Sequence, residues 1–188
     1  QWLQWAESLQ LKQDALFWDE TDGGYFASLA NDPSVILRMK TYADSALPSD
    51  NSVSARNLLR LSAMLNKPQW SQQAEQILGA ASSQPANAIP QMLVALDFAL
   101  QKPQQVVIAG SADAADVQAL RSLINEGFHP HRIVLLADGG KGQAYLTEHE
   151  AAYEMMQAIE GKATAYICED FICELPENDP EVVRELLK

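Results

Sequence analysis

The stretch Leu96-Asp97-Phe98-Ala99-Leu100-Gln101-Lys102-Pro103-Gln104-Gln105-Val106-Val107-Ile108-Ala109-Gly110 changes its hydrophobic period midway, and the fold turns on that change. Up to Leu100 the apolar residues recur at the three-and-four spacing of a helix. From Val106 they run unbroken and β-branched, as in a strand covered on both faces. Pro103 has no backbone N–H to donate and marks the edge between elements. The chain of 188 residues therefore divides into a helical part, 1–100, and an α/β part, 101–188, and its class is α+β.

Working back from the boundary, the first half predicts a helix over 2–17 and a helix that buries Leu58, Leu61 and Leu65 after the cap-rich loop Pro48–Ser52. Pro68 starts a third helix with an apolar face of Trp70, Ala74, Ile77, Leu78 and Ala81. A fourth follows Pro90, with Ile89, Met92, Leu93, Leu96 and Leu100 on one face. Short links between consecutive helices imply antiparallel αα-hairpins. Between the first two helices, Tyr25–Leu29 and Val35–Met39 flank Asn31-Asp32-Pro33 and predict a small β-hairpin.

Working forward, Val106–Gly110 and Ile133–Ala137 are two buried strands around a helix carrying Val117, Leu120, Leu123 and Ile124, with Ser111 or Asp113 as its cap. This is a βαβ unit, parallel and right-handed by default. A helix is expected over 148–160, strands over Ala163–Cys168 and Phe171–Glu174, and a closing helix from Pro180.

Composition limits function. Lys plus Arg total 13 and Asp plus Glu 25, so the net charge is −12, of which the second half carries −8. No basic stripe exists to hold a polyphosphate backbone, which argues against a nucleic-acid partner. No apolar run approaches the ~18 residues of a membrane-spanning helix. The mean hydropathy of −0.16 reads as a globular, soluble composition, and with no signal-peptide pattern in view the chain is expected in the cytoplasm. The first residue is Gln1, and helical spacing through Trp2, Trp5, Leu9 and Leu16 begins at once. That reads as a piece of a longer chain, a trimmed terminus being the plainer alternative.

Several motifs point toward chemistry and fall short. Gly110 stands alone where a dinucleotide loop needs three glycines, and Asp113 and Asp116 would meet the pyrophosphate. No NAD, FAD or ATP binding is expected, and no cofactor is assigned. Gly139-Gly140-Lys141-Gly142 lacks the earlier glycine and the following Ser or Thr of a phosphate loop, and reads as a mobile surface loop. His129, His131 and His149 lack a second ligand cluster, so no metal is assigned.

Cys168 and Cys173 face each other if four residues, Glu169–Ile172, turn between them, which permits a disulfide. A Glu169-Asp170 turn would set them diagonally. They serve as two buried small side chains or as a redox or structural pair. In a reducing cytoplasm free thiols are expected.

The densest polar cluster is Asp19, Glu20 and Asp22 before Gly23-Gly24, with Arg38, Lys40 and Asp44 before the Pro48–Ser52 loop. Carboxylates on such loops can act as acid and base in glycosidic or epimerisation chemistry, and they also cap helices and fill turns. At these residues the chain resembles a known family. Phe17-Trp18-Asp19-Glu20-Thr21-Asp22-Gly23-Gly24-Tyr25-Phe26, Arg38-Met39-Lys40, Asp44-Ser45-Ala46-Leu47-Pro48-Ser49-Asp50-Asn51-Ser52-Val53 and Asn57-Leu58-Leu59-Arg60-Leu61 are similar, in order, to motifs of YyaL-type, spermatogenesis-associated thioredoxin-domain proteins. So is the tail Thr164-Ala165-Tyr166-Ile167-Cys168 with Cys173, Pro176, Asp179 and Pro180. Asp50 departs from the pattern, which usually has Gly there.

The resemblance implies the C-terminal segment of a protein with a thioredoxin-like domain followed by a six-hairpin (α/α) toroid similar to glycosidases and N-acylglucosamine 2-epimerases. The helices of 1–100 would then be part of the toroid. The resemblance names a scaffold; from the polar cluster itself Asp44, Asp22 and Asp19 are read as catalytic candidates, with Asp44 the acid or base, and Arg38, Lys40 and Asn51 as ligand-binding residues for a carbohydrate-like small molecule. The alternative is a non-enzymatic interaction module of a redox-linked protein. The faces of Trp2, Trp5, Leu58, Leu61, Trp70, Ile77 and Leu93 are expected to pack on other helices of the full-length protein, or to drive self-association of a chain without turnover.

Overall fold

The computed structural model describes residues 1–169 and 172–187. The fold is mixed α+β, and the chain forms two compact units, Gln1–Leu100 and Gln101–Lys188.

The first unit holds four helices, α1 (Trp2–Phe17), α2 (Asp50–Leu65), α3 (Pro68–Ala81) and α4 (Pro90–Leu100). Ser49 starts α2 by accepting the Ser52 amide through its side chain, 3.1 Å. Asn66 stops it in the left-handed region, φ 47°, and Pro68 opens α3 in its first turn. Leu58 and Leu65 of α2, Trp70, Ala74 and Ile77 of α3 and Met92 and Ala95 of α4 form the buried interior. Leu58, Leu61, Trp70 and Ile77 are thus covered within the unit itself, whereas Trp2, Trp5 and Leu93 are exposed.

Two expectations are corrected here. Helix α4 buries Met92, Ala95 and Phe98, and leaves Leu93, Leu96 and Leu100 exposed. Its run Met92-Leu93-Val94-Ala95-Leu96 is apolar on every side, so spacing alone does not select the buried face. No hairpin forms between α1 and α2. The segment is joined by a single bridge, Trp18 with Tyr25, and by the Ala27 amide donating to the Met39 carbonyl, 2.9 Å. Ile36, Leu37 and Met39 lie exposed, so the second expected strand has no buried face to fix its register against the first.

The second unit is a four-stranded mixed sheet in the order β2-β1-β3-β4, from β1 (Gln104–Ala109), β2 (Arg132–Ala137), β3 (Thr164–Glu169) and β4 (Ile172–Cys173). β1 and β2 are parallel, with Val106 opposite Val134, and α5 (Ala115–Ile124) crosses between them as the βαβ reading expects. β3 runs antiparallel to β1, with Val106 opposite Ile167. Val106, Ile108, Val117, Leu120, Ile124, Ile167 and Val183 share one core, and α7 (Pro180–Leu186) closes it.

Differences from expectation lie at the helix starts. Ala114, rather than Ser111 or Asp113, precedes α5, and Asp116 inside its first turn accepts the Ala163 amide at 2.8 Å, tying the helix to the start of β3. Gly139-Gly140-Lys141-Gly142 is a helix start: Gly140 caps α6 (Lys141–His149). The helix expected over 148–160 is only a 3₁₀ turn, Ala151–Met155, because Glu150 is extended and its carboxylate accepts the Ala152 amide, 3.1 Å. Of the strand expected over Phe171–Glu174, Ile172–Cys173 is paired and Phe171 lies outside the described residues. Among the described residues no helix is long and apolar enough to cross a membrane.

Candidate functional site

The polar cluster of the helical unit is built around a glycine turn. Gly23 and Gly24 have φ of 69° and 81°, and a Cβ on Gly24 would lie 2.6 Å from the Tyr42 hydroxyl and 3.2 Å from Asn51 Oδ1. Only glycine fits that approach. Lys40 pairs with Asp19, Nζ to Oδ2 2.6 Å, and donates to the Gly23 carbonyl, 2.8 Å. The Thr21 amide donates to the other Asp19 oxygen, 3.0 Å. The Lys40 hydrogen bond, helped by that amide, holds the Asp19 carboxyl below its ordinary value.

Asn51, in the first turn of α2, is wholly buried and replaces a strand partner for the turn. Its Oδ1 accepts the Tyr25 amide at 2.7 Å, and its Nδ2 donates to the carbonyls of Tyr25 and Thr41, both 3.0 Å. Asp50 beside it is simply the first helical residue and needs no left-handed backbone, so it substitutes for glycine without strain. Its charge suits a helix N-terminus.

The structure brings Asp19, Lys40 and Asn51 together on this turn and sets Asp44 apart. Asp44 Oδ1 accepts the Ser49 amide and Oδ2 the Gln91 amide, both 2.8 Å, so one carboxylate fastens the starts of α2 and α4. Burial pushes its pKa upward, but the Ser49 and Gln91 amides, joined by the Ser52 side chain and the Met92 amide, outweigh that and leave it lowered. Arg38 donates to the Ser28 carbonyl, 3.1 Å, and lies 3.8 Å over the Phe26 ring. Asp22 is exposed. Asp19 and Asp44 are both kept ionised, which suits fixing cations and amides and does not suit proton donation near neutral pH.

The reading from residues missed the hub below this turn. Asp14 accepts from the buried Tyr25 hydroxyl at 2.5 Å and from Trp70 Nε1 at 3.0 Å, and Gln10 donates to both Asp14 and Tyr25. Burial, then the Asp14 hydrogen bond, pushes the Tyr25 phenol far up. A lone Asp on an exposed-looking helix gives no sign of this, because its partners lie 11 and 56 residues away.

In the α/β unit a cavity of about 870 Å³ opens at the C-terminal ends of β1 and β2, lined by Gly110, Ser111, Asp138, Gln143, Glu148 and Glu154 among others. The Asp138 carboxylate accepts the amides of Gly140, 2.9 Å, and Gln143, 3.0 Å, and occupies the place a phosphate would take at this helix start. Gly110, at φ 147°, makes room for Val117, whose Cγ2 would lie 2.7 Å from an added Cβ. It is a packing glycine. Among the described residues no group of three or more His, Cys, Asp or Glu is placed to hold a metal.

Cys168 and Cys173 lie directly opposite each other and form a disulfide, which corrects the expectation of free thiols. The pairing of Glu169 with Ile172 sets this register and excludes the diagonal one.

In sequence the chain matches the C-terminal part of the spermatogenesis-associated proteins along nearly its whole length. It is 38% identical over 190 residues to spermatogenesis-associated protein 20 of Homo sapiens, covering 99% of this chain and 24% of that protein, and 38% identical to the Rattus norvegicus protein over the same shares. An uncharacterized protein of Caenorhabditis elegans is 29% identical over 99% of this chain and 25% of its own length. The chain thus spans about a quarter of the length of the curated relatives it matches. No family model matches it.

Proposed function

We propose that the chain serves as the C-terminal segment of a cytoplasmic, thioredoxin-domain-containing protein, and that its four helices form part of a six-hairpin (α/α) toroid of glycosidase- or epimerase-like architecture. In this reading the helical unit contributes one wall of a cleft for a carbohydrate-like small molecule. Asp22, Arg38 and the Lys40–Asp19 pair form its polar rim, and Asn51 and Asp44 hold the rim in place. The observation that carries it is the uncovered side of α1: Trp2 is 75% and Trp5 58% exposed, and a groove of about 490 Å³ with a mixed lining, Leu3, Leu9 and Met64 beside Gln13, Asn57 and Arg60, runs next to them. Apolar surface of that extent calls for a covering partner, and the relatives are long enough to supply one from the same chain.

The second reading, a non-enzymatic interaction module, is favoured by Asp44, whose two oxygens are both taken by backbone amides. A panel of mono- and disaccharides separates the two. Under the first reading a full-length relative binds a sugar with a Kd below about 1 mM, some −4 kcal/mol, weakened by replacing the residue aligned with Asp22, while this chain alone gives no turnover. Absence of sugar binding by the full-length protein leaves the interaction module.

A further inference from the structure

The disulfide sits at an asymmetric place. The Glu174 amide donates to the Ile167 carbonyl, 2.9 Å, so the neighbouring pair Cys168–Cys173 occupies a non-hydrogen-bonded position of the antiparallel ladder, where side chains stand closest. Cys168 is 1% exposed, whereas Cys173 is exposed on β4, the edge strand of the sheet. Ile172 beside it is 80% exposed and nearby Leu175 87%, two aliphatic side chains left in water next to a sulfur. No Lys, Arg or His occurs between Lys162 and Arg184, while Glu169, Glu174 and Glu177 do. No cation close in sequence favours the thiolates of thiols released here.

We infer that this hairpin is a thiol–disulfide exchange site that takes a dithiol. The incoming thiolate attacks Sγ of Cys173, the accessible sulfur. A new S–S bond forms to the partner, the Cys173–Cys168 bond breaks, and Cys168 leaves with the electron pair and takes up a proton. Cys168 then lies directly opposite the mixed disulfide at high effective concentration, so it re-attacks Cys173 and expels a partner that has only one thiol. A partner with a second thiol wins this competition. That thiol loses its proton, bonds to the first partner sulfur and expels Cys173, which is protonated in turn. Two electrons and two protons pass to the hairpin, and the dithiol becomes a disulfide. The exposed edge and the aliphatic pair Ile172 and Leu175 give such a partner a surface to approach.

The test uses the intact, folded chain, first equilibrated with oxidised glutathione to set the bridge and then freed of it. It is then exposed to dithiothreitol or to glutathione at equal thiol concentration, quenched with acid and counted for thiols by maleimide mass tagging. We expect dithiothreitol to yield two thiols with circular dichroism unchanged, and glutathione to yield at least about tenfold less. With single cysteines, Cys173 in Cys168→Ser should react with an aromatic disulfide at least about tenfold faster than Cys168 in Cys173→Ser. A bridge that fails to form with oxidised glutathione, that resists dithiothreitol until urea unfolds the chain, or that glutathione reduces equally well overturns the inference. So does equal reactivity of the two cysteines. The wild-type comparison decides even if a variant fails to fold.

Discussion

Asp44 accepts one backbone amide through each carboxylate oxygen, and an amide side chain cannot do the same, because its NH₂ would face an N–H. Asp44→Asn is therefore expected to destabilise the helical unit by about 1–2 kcal/mol. Tryptophan fluorescence reads this unit selectively, since Trp2, Trp5, Trp18 and Trp70 all lie in it. The pH dependence has a definite sign. The Asp44 carboxyl is lowered in the fold, so its contribution is full above the unfolded value of about 3.9 and is lost as pH falls through the lower folded one. Acid unfolding followed by fluorescence should lose this component below about pH 4 in wild type, and Asp44→Asn should lack it. Gly24→Ala places a Cβ against Tyr42 and Asn51 at positive φ, and should cost more, about 2–4 kcal/mol. A variant as stable as wild type in urea would contradict that. At this scale the sequence marks Asp44, Asn51 and Gly24 by residue type and loop setting. It does not reveal that the second amide on Asp44 belongs to Gln91, because that pairing exists only once two helices have docked.

Among the elements, α4 separates two kinds of apolar residue. Met92 is 1% exposed and Leu96 faces water, so in this chain Met92→Ala should cost about 2–4 kcal/mol and Leu96→Lys less than about 0.5. Urea midpoints give both, and a larger loss from Leu96→Lys would mean that the buried face is the one read from spacing. Elements with punctuation were legible: Ser49 and Pro68 at helix starts, the β-branched runs of β1 and β2, and Pro180 at α7. Three misreadings have a common cause. For α4, for the segment between α1 and α2 and for residues 148–160, local pattern fits more than one arrangement, and the choice is made by partners distant in sequence: the packing of α4 on α2, Asn51 capturing Tyr25, and Glu150 breaking the helix.

For the whole molecule, the division near residue 100 was legible from the change in hydrophobic period, while the disulfide was not. Spacing permits the bridge, and only the register of Glu169 against Ile172 selects it. The central claim concerns the uncovered side of α1, with Trp2 and Trp5 exposed beside a groove of mixed apolar and polar lining. If that side is built to be covered, the chain alone should cover it with itself. Sedimentation velocity of wild type and of the double variant Trp2→Glu/Trp5→Glu, across about 1–100 μM, tests this most directly; a dissociation constant in that range corresponds to roughly 5.5–8 kcal/mol. The account predicts reversible association of wild type that the double variant loses while keeping its circular dichroism. A wild-type chain that stays a monomer at every concentration would contradict it.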